Sequence, residues 1–126
     1  MRNIRLTVEY DGTAYSGWQR QPSGPSIQGT LEEAVAKMTG EPVTVIGAGR
    51  TDAGVHAMNQ VANFKTRSAI PAANFLKGLN SLLPRDMAVK ALGDADPAFH
   101  ARFDARRKVY RYRILNGPVR PALLRN

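Results

Sequence analysis

Asn3-Ile4-Arg5-Leu6-Thr7-Val8-Glu9-Tyr10 alternates apolar and polar side chains: Ile4, Leu6, Val8 and Tyr10 on one set of positions, Arg5, Thr7 and Glu9 on the other. Successive side chains of an extended chain point to opposite faces, so residues 3 to 10 are expected to form a strand with one buried face. Downstream the period changes. Ile27, Leu31, Ala34, Val35 and Met38 fall at helical spacing, with Ser26 placed to cap the helix and Gly40 to stop it. Thr30 and Glu33 offer a capping box one turn later as an alternative start. Val43 to Ile46 reads as a second strand and Gln60 to Thr66 as a third. Pro71 suits the first turn of a second helix, Phe75, Leu76, Leu79 and Leu83 line one face of it, and Pro84 ends it. Met87 to Leu92 makes a fourth strand and Lys108 to Leu115 a fifth. The order β-α-β-β-α-β predicts an α+β fold of the ferredoxin-like type, an antiparallel sheet with two helices on one face, extended by the additional strand.

Between the second and third strands lies Gly47-Ala48-Gly49-Arg50-Thr51-Asp52-Ala53-Gly54-Val55-His56. Glycines on both sides of Asp52 allow positive φ and the close approach of a bulky substrate, and Arg50 two residues away favours the ionised carboxylate. Asp52 is therefore a candidate nucleophile, to be weighed against an ordinary turn with a solvated ion pair. Two better-known glycine motifs do not fit. A dinucleotide fingerprint needs a third glycine where Asp52 stands and a helix after it, and a P-loop needs Gly-Lys-Ser/Thr at its end.

Composition narrows the classes. A chain of 126 residues with 43% hydrophobic content is enough for one small domain with a real core. There are no cysteines, which excludes disulfides and thiolate metal sites, and His56 and His100 are too few for a convincing zinc site. No apolar run approaches the roughly 18 residues of a membrane helix, and the N-terminus opens into a strand pattern, so a soluble, cytoplasmic protein without membrane contact is expected. The net charge of +8 is unevenly placed. Residues 1 to 100 hold ten basic and nine acidic residues, whereas in residues 101 to 126 Arg102, Arg106, Arg107, Lys108, Arg111, Arg113, Arg120 and Arg125 face Asp104 alone. Such a local field draws a polyanion, if it is not simply the solvated charge of a strand and tail. In Tyr110-Arg111-Tyr112-Arg113 the tyrosines and arginines project to opposite faces of the fifth strand, so one face is able to stack on a base while the other meets phosphate. The aromatic signature of an RNA-recognition module is absent from the strands. Trp18, Phe99, Phe103 and the two histidines read as core, hinge or structural residues.

Four stretches carry a resemblance that covers nearly the whole chain. Gly49-Arg50-Thr51-Asp52-Ala53-Gly54-Val55-His56, preceded by Tyr10-Asp11-Gly12-Thr13-Ala14-Tyr15-Ser16-Gly17-Trp18-Gln19 and followed by Phe99-His100-Ala101-Arg102-Phe103 and Tyr110-Arg111-Tyr112, resembles the tRNA pseudouridine synthase A (TruA) family in content and order. The resemblance implies isomerisation of uridine to pseudouridine on the 3′ side of the tRNA anticodon stem-loop, with no metal or organic cofactor. It makes Asp52 the catalytic nucleophile and places Tyr110 against the target base. Arg50 is expected to orient Asp52 and to meet a phosphate of the extruded nucleotide, and Arg20, Arg102, Arg106 and Arg107 are further expected RNA contacts. Asp52 is able to add to uracil C6, attack the sugar C1′ or start an elimination, and the sequence leaves these open.

The resemblance also implies a homodimer and a second, similarly built half that walls the cleft. The present chain is about half the expected length, and so reads as a truncated, inactive fragment with a catalytic N-terminal domain over residues 1–104 and a basic strand and tail over residues 105–126. A structured-RNA-binding module without chemistry is the alternative function, and an adaptor whose basic strand binds an acidic protein is a third.

Overall fold

A computed structural model describes residues 1–21, 24–49 and 51–104 of the chain. The elements are β1 (Arg2–Tyr10), α1 (Ile27–Thr39), β2 (Ile46–Gly47), β3 (Ala57–Thr66), α2 (Ala72–Leu82) and β4 (Met87–Ala95), with a short 3-10 turn at Gly12–Ala14. The strands form one antiparallel sheet in the order β2-β3-β1-β4. This is the ferredoxin-like arrangement: each helix carries the chain across a neighbouring strand, and β1 lies beside β3 in the middle. The additional strand expected at Lys108–Leu115 lies outside the described residues.

The alternation of β1 decides which face is covered. Ile4, Leu6, Val8 and Tyr10 share one core with Ile27, Leu31, Ala34 and Val35 of α1, Phe75 and Leu79 of α2, Ala62 and Phe64 of β3, and Met87 and Val89 of β4. Both helices therefore pack on the same face. The Phe64 and Phe75 rings meet at a centroid distance of 5.7 Å and join sheet to helix at the centre of that core. Ser26 caps α1 as expected, its Oγ accepting from the Gly29 N–H at 3.0 Å, and Gly40 ends the helix at φ 75°. Thr30 lies inside the helix and donates its hydroxyl to the Ser26 carbonyl, so the later capping box does not form.

One expected strand is largely absent. Pairing of β2 is confined to Ile46 and Gly47, and Val43 to Val45 do not join the sheet. The reason is a competing set of bonds: the Val45 N–H donates to Glu32 Oε2 at 2.9 Å and its carbonyl accepts from Gln28 Nε2 at 3.0 Å, so side chains of α1 take the backbone groups that a ladder would use. Conversely, β3 begins at Ala57 and β4 runs on to Ala95, both beyond the apolar runs that announced them.

The other face of the sheet carries Arg5, Thr7 and Glu9 and is crossed at one end by the chain after β4. Asn3 Nδ2 donates to the carbonyls of Asp96 and Phe99, Asn63 Nδ2 donates to Asn3 Oδ1, and the Ala101 N–H donates to Asn63 Oδ1. The two buried amides are thereby satisfied and fix residues 96–101 against the sheet. Arg5 lies over the Phe99 ring at 5.7 Å. His100 then caps the helical turn 101–104. Its Nδ1 accepts from the Phe103 N–H at 3.3 Å, and its own N–H donates to Asp104 Oδ2 at 2.7 Å. Among the described residues no helix is long and apolar enough to cross a membrane.

Candidate active site

The loop carrying Asp52 sits at the Tyr10 end of β1, where the segment from Tyr10 to Trp18 clasps it. Four hydrogen bonds make the clasp. Tyr10 Oη and Thr51 Oγ1 are 2.8 Å apart, the Trp18 N–H donates to the Thr51 carbonyl at 3.0 Å, the Gly54 N–H donates to the Tyr15 carbonyl at 3.3 Å, and the Gly12 N–H donates to His56 Nδ1 at 2.8 Å. Two stretches far apart in sequence thus become one structural unit. Within the loop the Val55 N–H closes a turn onto the Asp52 carbonyl at 3.2 Å, and Gly54 supplies the positive φ of 80° that the turn requires.

Close backbone approach explains glycine in the clasping segment. A Cβ on Gly17, which sits at φ 102°, would lie 2.6 Å from the Thr51 carbonyl oxygen. One on Gly12 would lie 1.9 Å from that of Val55. The Trp18 indole is 2% exposed and lies against Gly47, below the start of the same loop. Trp18 is thus a core residue that props the loop rather than a stacking platform.

Around the clasp two phenols are held neutral and one carboxylate is held ionised. Burial raises the pKa of the Tyr10 phenol above its ordinary value, an effect the Thr51 bond partly offsets, so it remains a neutral hydrogen-bonding group. Burial raises that of Tyr15 further, reinforced by its bond to Asp86 Oδ1 at 2.7 Å and the charge of that carboxylate. The Asp11 carboxyl is held below the usual range by the Thr13 hydroxyl at 2.6 Å and the Thr13 N–H at 3.0 Å. His56 Nδ1 also lies 3.1 Å from Asp11 Oδ1. An ion pair there needs a proton on Nδ1, whereas the fixed N–H of Gly12 already donates to that atom, so Nδ1 is the acceptor and the ring proton sits on Nε2.

Asp52 is exposed, and among the described residues no donor bonds its carboxylate. Asp52 does not line the cavity of about 350 Å³ between Glu9–Asp11 and Arg85–Ala88, nor that of about 250 Å³ between Arg5, Thr7 and Ala91–Asp94. The other sequence-predicted residues are scattered. Arg20 leans on α1, its Nε 3.0 Å from Glu32 Oε1. Arg102 follows Ala101, which is anchored to Asn63, six residues along β3 from Ala57. At 3.3 Å per residue this sets it roughly 20 Å from the strand end that leads to Asp52. Arg50, Arg106, Arg107 and Tyr110 lie outside the described residues. Sequence reasoning did not single out Thr51 and Tyr10 as a hydrogen-bonded pair, nor His56 as the acceptor that fixes the far side of the loop.

The described residues thus form a ferredoxin-like sheet that presents a solvent-facing aspartate on a loop clasped by a glycine-rich partner segment. The profile of the family described as tRNA pseudouridine synthase matches residues 6–104, and the chain belongs to that family. It is 60% identical over its full length to tRNA pseudouridine synthase A of Caldicellulosiruptor bescii, covering 52% of that protein. It is 53% identical over its full length to tRNA pseudouridine synthase A 2 of Clostridium perfringens, covering 52%. To tRNA pseudouridine synthase A of Citrifermentans bemidjiense it is 54% identical over 125 residues, covering 50% of that protein. The chain therefore spans about half the length of the curated relatives it matches.

Proposed function

We propose that this chain is the nucleophile-bearing part of a tRNA pseudouridine synthase, with residues 1–104 as the catalytic domain and residues 105–126 as the basic strand leading onward. The observation that carries the reading is the exposed Asp52 on a loop held from both sides, in a chain of this family. Uridine and pseudouridine are isomers. The N1–C1′ bond breaks, a C5–C1′ bond forms, the C5 proton leaves to water and N1 gains one, so no net oxidant or co-substrate is consumed. An ionised carboxylate is sufficient to start this by adding to uracil C6, attacking C1′ or initiating elimination at the sugar. Arg50 orients that carboxylate and meets a phosphate, Tyr110 packs against the base, and Arg20, Arg102, Arg106 and Arg107 supply backbone contacts. The substrate is the anticodon stem-loop, in which the target nucleotide is extruded before reaction. Because Asp52 is open to solvent on the described residues, exclusion of water falls to residues outside those described, in a protein of the relatives' length acting as a cytoplasmic homodimer.

The same openness favours a second reading for this chain by itself, an RNA-binding module without turnover. Release of tritium from tRNA labelled at uracil C5 separates the two. Release by a protein of the relatives' length carrying this sequence supports the synthase, and salt-dependent tRNA binding without any release supports the module.

A further inference from the structure

Both neighbours of β1 are irregular at almost the same level. On β4, Thr7 pairs with Ala91 and Val8 with Val89, which leaves Lys90 as an extra residue. On β3, Val8 pairs with Gln60 and Tyr10 with Ala57, so Met58 and Asn59 together stand opposite Glu9. Each is a β-bulge, a device that re-aims side chains and leaves a residue outside the ladder. The first turns Lys90 and Ala91 outward and returns Leu92 to the core, and the second does the same for Met58 and Asn59 before Ala57.

The two bulges are tied together. The Lys90 ammonium reaches over β1 on the helix-free face and donates to the Met58 carbonyl at 3.2 Å and to Asn59 Oδ1 at 3.1 Å, with Glu9 Oε1 at 3.7 Å. An ammonium has three N–H groups and three oxygens surround this one, so it is engaged by the protein rather than held out for a phosphate. The tie falls where β3 is weakest. Because β2 pairs only with Ala62 and Asn63, residues 57–59 have, among the described residues, a strand on one side alone, and that side is interrupted by the bulge.

We propose that Lys90 is a positioning residue for the Asp52 loop, a strut that fixes where β3 begins and hence where residues 52–56, closed by the Asp52–Val55 turn and the Gly12–His56 bond, leave the sheet. Its consequence for catalysis rests on the reading of Asp52 as nucleophile. A group that touches no substrate is still able to govern rate in this way, since a displacement of about 1 Å at reacting atoms costs on the order of 10²-fold.

Two measurements test the strut, using Lys90→Met, Lys90→Arg and, as a control for the removal of a charge, Lys37→Met on the exposed side of α1. In this chain, Lys90→Met speeds amide hydrogen exchange over residues 53–60 by about fivefold or more, leaves Leu6 and Phe64 unchanged, and is rescued by Lys90→Arg. In a protein of the relatives' length, Lys90→Met lowers kcat by about tenfold with KM for tRNA within about twofold, and Lys37→Met lowers neither. Unchanged exchange over 53–60 in Lys90→Met overturns the proposal, as does faster exchange there with unchanged kcat. If loosening is seen and the unsubstituted protein turns over no tRNA, the strut stands and the synthase reading fails.

Discussion

Replacing Gly17 by alanine attacks the clasp at its tightest backbone crossing beside Asp52. The new Cβ would lie 2.6 Å from the Thr51 carbonyl oxygen and 3.3 Å from the Asp52 carbonyl carbon, where ordinary contact begins at 3.4 Å, so the loop must retreat by about 0.8 Å. Gly17 also holds φ at 102°, outside the range an alanine adopts without strain. The conformational cost is about 1–2 kcal/mol and the overpacking about 1–3 kcal/mol more, or about 2–5 kcal/mol together. Gly40→Ala separates the two. Gly40 sits at φ 75° with nothing within 4 Å of its virtual Cβ, so that variant bears only the conformational part, about 1–2 kcal/mol. Urea unfolding followed by fluorescence suits the comparison, because Trp18 is the sole tryptophan, is 2% exposed and bonds through its own N–H to Thr51. The Gly17 variant should lose at least about 1 kcal/mol more than the Gly40 variant. Equal losses would mean that the Gly17–Thr51 crossing is slack and that the loop is not held as described.

Arg106→Ala with Arg107→Ala should weaken tRNA binding by this chain and reduce the log–log salt slope by about 1 for each phosphate no longer neutralised, similarly for different RNA sequences; titrations at several salt concentrations check it. Tyr10→Phe removes the bond to Thr51 while leaving the core ring in place, and should cost about 1 kcal/mol in the same urea assay, with faster amide exchange at Thr51. Asp94 is held below the usual carboxylate range by the Arg2 guanidinium, 2.8 Å from its Oδ1. A depressed folded value means the contribution is complete above the unfolded pKa near 4 and is lost as pH falls through the folded one, so Asp94→Asn should flatten the acid limb of a stability-against-pH curve by lowering the neutral plateau slightly while leaving stability below the folded pKa unaltered. Tyr110→Ala should impair turnover far more than Tyr110→Phe, and Tyr112→Phe should be nearly silent, as single-turnover assays on tRNA will show.

What could be read from sequence were the features that local periodicity carries. The alternation over Ile4, Leu6, Val8 and Tyr10 and the helical spacing from Ile27 to Val35, with Ser26 and Gly40 at its ends, depend on a side chain's own backbone and its near neighbours. The fate of Val43 to Val45 did not, because Glu32 and Gln28 reach it only once α1 has packed. The bulges left a faint trace, in that the inward residues Met87, Val89 and Leu92 step by two and then by three, but nothing in that spacing says that Lys90 reaches Asn59 across another strand. At the site, the glycine turn around Asp52 was visible, whereas the need for glycine at 12 and 17 arises from contact with a loop about forty residues away and is a tertiary property.

The proposed role of Asp52 as nucleophile is decided by tritium release from uracil-C5-labelled tRNA, measured with Asp52→Asn alongside the unsubstituted protein, both at the relatives' full length, with tRNA affinity measured in parallel. The substitution removes a charge that no described residue hydrogen-bonds or pairs with, so folding and tRNA affinity should stay within a few-fold while release becomes undetectable. Release by the asparagine variant at a rate near that of the unsubstituted protein would remove Asp52 from the role of nucleophile.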